Sequence, residues 1–278
     1  MNKRIKLLLI AIGLLPAAFS SGQAFKGNLG IQAYSFRYSF PKGMAATLDS
    51  IKAMGFTIIE GGEGKDPAAF KKLCDERGIS IPSTGAGYED LVKDPMAVVK
   101  RAKVLGSKYV MCAWIPHQGP FTLEHAKKAV EDFNNAGKVL KENGITFCYH
   151  VHGFEFQPYE NGTLLDYIIT KTDPAYVSFE MDILWAHFGG GNPVALLKKY
   201  GSRWKLMHVK DLRKGVKKDL SGGTSTENDV ALGTGEVDVA GIVREAQKIG
   251  IAYYFIEDES SRVNTQVPQS VAYLRSLK

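Results

Sequence analysis

The sequence predicts an α/β fold, a single closed (β/α)8 barrel, on three observations. Eight short apolar runs alternate with eight helix-like segments. Most of those segments stop at a glycine just before the next run, where a left-handed residue ends a helix. No glycine-rich phosphate loop follows the first run, as an open doubly wound sheet would usually carry; Tyr34-Ser35-Phe36-Arg37-Tyr38 stands there. The 278 residues exceed one average domain of about 150. A barrel of about 250 residues accounts for the whole alternation as one unit.

The elements follow in order. A strand over 29–34 leads to a helix over 44–54 that stops at Gly55. The strand at 57–60 runs into Gly61-Gly62-Glu63-Gly64, which has neither phosphate-loop nor dinucleotide spacing and reads as a flexible rim loop. The helix at 67–77 has Asp66 as N-cap, Pro67 in its first position and Gly78 after its end. A strand at 80–83 and a helix at 94–105 close on Gly106. The strand at 109–113 precedes a helix over 122–143, which opens on Thr122 with Glu124 and His125 behind it. Strands at 146–150 and 177–181 flank a helix over 164–170. Asn192 caps a helix over 193–200, and Asp238 caps one over 239–249 with Gly250 beyond it; the strand at 206–209 lies between them. The last strand is 253–257, and the last helix runs from about 268 to 277. The runs are apolar without alternation, as expected of strands buried on both faces.

Residues 1–24 stand apart from this pattern. Lys3, Arg4 and Lys6 precede a short apolar run over 7–15 and a small-residue tail ending near Ala24. That is the form of a secretory signal peptide, so the mature domain is expected over 25–278, outside the cytoplasm and periplasmic. The apolar run falls short of the roughly 20 residues a membrane span needs, so no membrane attachment is expected after cleavage. No cysteine lies near the cleavage zone to carry a lipid. Removing 1–24 takes away three of 35 basic groups and none of 29 acidic ones, lowering the formal charge from +6 to +3. With its basic residues scattered among acids, the chain shows no nucleic-acid footprint. Cys74, Cys112 and Cys148 form no CxxC motif and no disulfide framework, and read as buried core.

Chemistry gathers where strands end. The clusters are His150-Val151-His152-Gly153-Phe154-Glu155, Glu180-Met181-Asp182, His208-Val209-Lys210-Asp211 and Glu257-Asp258-Glu259. In a parallel barrel all four lie at the C-terminal rim, where such folds place reactive groups. Residues two apart share a face, so His150 points with His152, Glu180 with Asp182, and His208 with Lys210. Mixed imidazole and carboxylate ligands suit a divalent ion: Mn, Co, Zn or Fe, with Mg also considered. Asp182, His208 and Glu257 are the expected metal ligands. The fourth is His150, or Glu155 in its place, since Gly153 lets the chain turn back to the centre. His152, Glu155, Glu180 and Lys210 are candidates for proton transfer or for binding oxygen atoms. Tyr34, Arg37, Glu60, Trp114 and Trp185 are expected to contact a sugar, while Phe154 reads as packing. The loops at 114–120 and 213–230 can cover a substrate, but the distal stretch 217–228 reads as solvated surface.

At these residues the chain resembles the xylose-isomerase-like TIM-barrel superfamily, the sugar phosphate isomerase/epimerase group. The resemblance is carried by Leu29-Gly30-Ile31-Gln32-Ala33-Tyr34-Ser35-Phe36-Arg37, Gly55-Phe56-Thr57-Ile58-Ile59-Glu60, the four rim clusters and Gly233-Thr234-Gly235-Glu236-Val237-Asp238. It implies a metal held by an acid on strand five, an Asp on strand six, a His on strand seven and a Glu on strand eight. The last three match Asp182, His208 and Glu257; His150 stands where the first is expected, which departs from the two-glutamate acid/base pair of epimerases in the group. The expected function is a secreted, metal-dependent carbohydrate enzyme that enolises a sugar or keto-sugar as an isomerase or epimerase. The alternatives are a lyase or hydratase eliminating from 3-keto-glycosides on the same metal site, and a non-catalytic periplasmic sugar-binding protein. The resemblance also covers DNA-repair nucleases with extra histidines on strands two and three, but Glu60 and Ser83-Thr84 occupy those places here.

Overall fold

Eight parallel strands close on one another in chain order: β1 (Leu29–Gln32), β2 (Ile58–Glu60), β3 (Ser80–Gly85), β4 (Tyr109–Cys112), β5 (Thr146–His150), β6 (Val177–Asp182), β7 (Trp204–Val209) and β8 (Tyr253–Ile256). The last returns to the first, with Leu29 opposite Tyr254 and Ile31 opposite Ile256. The computed structural model describes residues 25–62 and 64–277, so the expected signal peptide lies outside the described residues. The helices are α1 (Met44–Ala53), α2 (Pro67–Glu76), α3 (Tyr88–Lys93), α4 (Pro95–Leu105), α5 (Leu123–Glu142), α6 (Leu164–Lys171), α7 (Ile183–Phe188), α8 (Pro193–Tyr200), α9 (Val239–Ile249) and α10 (Val263–Ser276). Among the described residues no helix is long and apolar enough to cross a membrane.

The helix starts obey local chemistry. Asp66, Asn192 and Asp238 each accept a backbone N–H three residues on, at 2.9, 3.0 and 3.0 Å. Thr122 and His125 form a reciprocal capping pair at the head of α5. Two elements lacked a sequence signal. α3 and α7 have six residues each, too few to display a period. α10 begins at Val263 rather than near Pro268, which lies inside it. Pro268 gives up one intrahelical bond, but the buried Gln266, Val267, Val271 and Leu274 hold that face against the barrel.

Strand parity divides the interior. Cys148, Leu206 and Phe255 form a buried cluster with Ile58, Tyr109, Met111 and Tyr253 packed on it. Each of Cys148, Leu206, Phe255 and Ile58 precedes by two residues a polar group at the rim: His150, His208, Glu257 and Glu60. Apolar side chains therefore plug the barrel below, and ionisable ones cover the plug. The larger core lies between strands and helices, and all three free cysteines are buried.

Gly137 in α5 shows how closely that outer layer packs. An added Cβ would lie 2.5 Å from the Tyr176 carbonyl oxygen, a backbone atom that cannot swing away. Glycine to alanine inside a helix usually stabilises by about 0.5–1 kcal/mol. Here Gly137→Ala should instead destabilise by about 1–3 kcal/mol through overpacking. Urea unfolding midpoints will show the sign.

Candidate metal centre

The upper interior positions converge. β5 contributes His150, β6 Glu180 and Asp182, β7 His208, and β2 Glu60, while Glu257 follows β8. All are buried. The His150 and His208 rings lie 4.5 Å apart, centroid to centroid. Each ring has a carboxylate at its back. Glu180 Oε2 is 3.0 Å from His150 Nδ1, and Glu60 Oε2 is 2.5 Å from His208 Nε2. Gln32 Nε2 donates to the same Glu60 oxygen at 2.8 Å. This is the arrangement that fixes the tautomer and orientation of a metal-ligating imidazole.

The opposite nitrogens face a common point. His150 Nε2 is 3.6 Å from Asp182 Oδ2. His208 Nδ1 is 4.0 Å from that oxygen and 3.1 Å from Glu257 Oε2. Donors about 2.0–2.2 Å from a tetrahedral ion stand about 3.3–3.6 Å from one another, so these separations suit one cation. Asp182 Oδ1 accepts the Trp185 N–H at 2.9 Å and caps α7; buried Oδ2 has no hydrogen-bond partner. An unsatisfied carboxylate oxygen aimed between two imidazoles is what a cation would complete. The residues present therefore fit a divalent metal.

Electrostatics follow from burial and crowding. Burial pushes the Asp182 carboxyl up to about 6, against the pull of Lys210 and His208. Burial, then Glu60, raises Glu180 well above the carboxylate range. Burial also disfavours charge on His208, but Glu180, Glu257 and Glu60 outweigh it and hold the ring well above its usual value. Glu257 is pushed up by burial, yet Lys210 and His208 together hold it well below. Lys210 Nζ sits 2.7 Å from Glu259, 3.2 Å from Glu257 and 3.7 Å from Asp229. Despite its burial, these carboxylates keep it protonated.

Above the cluster opens a cavity of about 1070 Å3, with His150, His152, His208, Glu257 and Trp185 at its base and Gln32, Tyr34 and Arg37 among its walls. Its size and position match a small-molecule site at the C-terminal mouth of a barrel.

One pattern decides the family. The definition described as "Xylose isomerase-like TIM barrel" matches residues 48–277. The chain belongs to that family. A structure described as a sugar phosphate isomerase/epimerase from Parabacteroides distasonis is similar at TM-score 0.75 and 26% identity, over 91% of this chain and 100% of that one. A curated inosose dehydratase from Clostridium beijerinckii is 28% identical over 173 residues, 55% of this chain and 57% of its own length. The chain spans 57% and 62% of the lengths of the first curated inosose dehydratases it matches. The IOLI protein, determined with a zinc atom, shares the fold at TM-score 0.68 and 14% identity over 89% of this chain and 96% of its own.

Within this xylose isomerase-like barrel, the other expected site residues divide. Among the side chains expected to move protons, only His152 lines the cavity, its ring stacked on Trp185 at 5.0 Å. Burial, then Lys210, lowers its pKa to about 3. Glu180 lies behind His150, and Lys210 behind Glu257. Glu155 is not at the centre. Gly153 (φ 93°) makes the sharp turn the sequence suggests, but its Cα packs where a Cβ would meet the Trp185 carbonyl, and the turn sends Glu155 into the wall. There it accepts from Tyr149 Oη and from the His152 N–H at 3.0 Å. Glu60 backs His208 rather than lining the cavity. Trp114 is 42% exposed and reaches the site only through its edge contact with His152. Arg37 lines the wall, but its guanidinium is bonded to the Tyr34 and Glu259 carbonyls.

The distal loop corrects a further expectation. Gly223, Thr224, Ser225 and Thr226 line the cavity, and Asp229 is buried beside Lys210, so part of 217–228 roofs the site. Glu227 holds it down through the Ser261 N–H at 2.8 Å and an ion pair to Arg262. Polar composition hid this, because Thr224 and Ser225 spend their hydroxyls on bonds within the loop, from Asn228 Nδ2 and the Glu227 N–H, while the loop itself folds over the cavity. Asp229 and Gln32 had no sequence signal, being single polar residues outside any repeated pattern.

Burial raises Glu155 from 4.5 to about 7, even though Tyr149 and backbone N–H groups favour its charge. The folded state then binds more protons than the unfolded one between those values, so stability falls as pH rises through that window. Glu155→Gln should shrink this loss and leave the variant about 1–3 kcal/mol more stable than the parent above pH 7. Urea titrations at pH 5 and pH 8 give the comparison.

Proposed function

We propose that the chain is a divalent-metal-dependent lyase that takes the proton next to the carbonyl of a keto-sugar or keto-cyclitol and then expels a β-oxygen substituent. The observation carrying this reading is the donor triad of Asp182, His208 and Glu257, with His150 Nε2 3.6 Å from Asp182 Oδ2, beneath a cavity of sugar-accommodating size. A cation bound there supplies Lewis-acid polarisation of neighbouring carbonyl and hydroxyl oxygens. Glu180 and Glu60 hold the two imidazoles in position. His152, neutral and open to the cavity, accepts the substrate proton and passes it to the departing oxygen. Lys210 fixes the Glu257 carboxylate from behind. Trp185 carries His152 on its face and walls off water.

Elimination is favoured over epimerisation because His150 stands where the resemblance expects an acid on β5, and of His152, Glu155, Glu180 and Lys210 only His152 lines the cavity. The Clostridium beijerinckii relative is itself named as a dehydratase. Isomerisation, in which the same base returns the proton one carbon away, is the second reading, supported by the name of the Parabacteroides distasonis protein. Residues 1–24 are read as a secretory leader, which places the enzyme outside the cytoplasm.

Four outcomes are expected. His208→Ala should abolish stoichiometric metal uptake by elemental analysis, and retained metal would defeat the ligand assignment. His152→Gln should keep its metal and lose about 10²–10⁴-fold in kcat, the usual scale for a general acid/base. Turnover of inosose or a 3-keto-glucoside in D2O should yield an unsaturated ketone by ultraviolet absorbance; deuterated, saturated isomer alone would favour isomerisation. Mass spectrometry of exported protein should find an N-terminus near residue 25.

A further inference from the structure

We propose that the outer part of the cavity is an aglycone chamber, and that the substrate ring carries a flat, apolar or aromatic substituent seated against Tyr34, Phe40, Pro41 and Met44. This names the substrate class for the lyase reading and rests on it for the position of the ring; the chamber has separate evidence.

The first observation is size. A cavity of about 1070 Å3 matches the upper end of sites that enclose drug-sized molecules, about 300–1,000 Å3. A single sugar ring over His150, His208 and Glu257 leaves most of it unused. The second is the asymmetry of the walls. The segment between β1 and α1 supplies Tyr34, Phe40 and Pro41, and α1 adds Met44; the loop after β7 supplies the small polar residues Thr224, Ser225 and Thr226. One wall is apolar and suits a flat apolar plane, while the other is small and polar, a contrast that matches a glycoside with an apolar aglycone.

The third observation is that the aromatic wall is built in advance. Tyr34, on the cavity wall, and Tyr38, outside the lining, are 53% and 72% exposed, the highest values among the large exposed apolar side chains of the described residues. Exposed aromatic surface beside a cavity marks a binding site. The Arg37 guanidinium lies 4.6 Å from the centroids of both rings. Arg37 is itself anchored by bonds of 3.1 Å to the Tyr34 carbonyl and 2.8 Å to the Glu259 carbonyl. Two of its five N–H donors are thereby held by backbone carbonyls, which fixes the guanidinium against the aromatic ring. Phe40 is braced edge-on by Phe70 at 6.1 Å. A rigid aromatic wall loses little entropy when a flat ligand stacks on it.

The test compares affinities of inert probes by calorimetry on the metal-loaded protein. 4-Nitrophenyl β-D-glucopyranoside should bind about tenfold or more tightly than methyl β-D-glucopyranoside, on the scale of one buried aromatic contact. Tyr34→Ala should remove most of that difference while leaving the methyl glucoside unchanged. Phe40→Ala provides a second reading of the same wall. Equal affinities, no binding of the aryl glucoside, or a Tyr34→Ala loss shared equally by both probes would overturn the chamber. Tighter binding of D-glucose 6-phosphate than of the aryl glucoside would also overturn it, in favour of an anion. Because none of these probes reacts, the chamber can fail while the lyase reading stands, and the reverse.

Discussion

Charge removed from water is the constraint on which this molecule turns. Glu60, Glu180, Asp182 and Glu257 are buried in the mouth of one barrel with His150, His208 and Lys210. Isolated carboxylates in such a place cost several kcal/mol each, so they must be paired, protonated or bound to a cation. The structure uses the first two openly. Glu257 is paired with His208 and Lys210 and stays ionised, while crowding with Glu60 favours the proton on Glu180. Asp182 Oδ2, like Glu60 Oε1 and Glu180 Oε1, is left with no N–H or O–H reaching it. The proposed cation answers that remainder, with the two imidazoles, each backed by a carboxylate, as its nitrogen ligands once His208 gives up its proton.

The scaffold makes such crowding tolerable by fixing every backbone that carries it. Closure of the sheet leaves no fraying edge, and each donor sits at or next to a strand end. Asp182 ends β6 and caps α7 with one oxygen, so its other oxygen has a single direction. The roof is tied down from outside. Asp211 accepts N–H groups of Leu212, Gly233, Gly235 and Val237 at 2.9–3.0 Å, binding the end of β7 to the approach of α9. An added Cβ at Gly235 would lie 2.2 Å from Asp211 Oδ1, so only glycine fits there. Rigidity at the rim is thus a condition for the geometry at the floor.

How much of this was legible in the sequence follows from which signals are periodic. Alternating apolar runs and glycine stops announce a barrel because strands buried on both faces and capped helices each leave a local mark. Parity along a strand then brought His150, Asp182, His208 and Glu257 to one rim, since a period of two needs no knowledge of contacts. The misreadings lie where side chains leave that lattice. Glu155 follows a left-handed glycine, and the turn aims it by packing against α7, which no local pattern encodes. The 217–228 stretch looks solvated because its polar side chains bond to one another and to the loop backbone, and composition cannot tell such a loop folded over a cavity from one in water. Tyr34 was legible as an exposed aromatic near the rim; Phe40, Pro41 and Met44 became a wall only through tertiary placement.

The state of His152 bears most closely on which reaction the proposed site can run. Burial and the nearby Lys210 ammonium keep the ring neutral at any ordinary pH. It can therefore receive a proton but does not hold one in reserve. Once protonated it lies close to Lys210 in a low-dielectric wall, a position that favours prompt release. A mechanism that needs a resident acid on one face and a base on the other has to draw on Asp229, which lines the cavity and which burial raises to about 7, because Glu180 and Glu155 are both turned away from it. Elimination has no such need. The proton taken from carbon is the proton required by the oxygen that leaves, and one poorly basic imidazole at the floor of the cavity is suited to carrying it from one to the other.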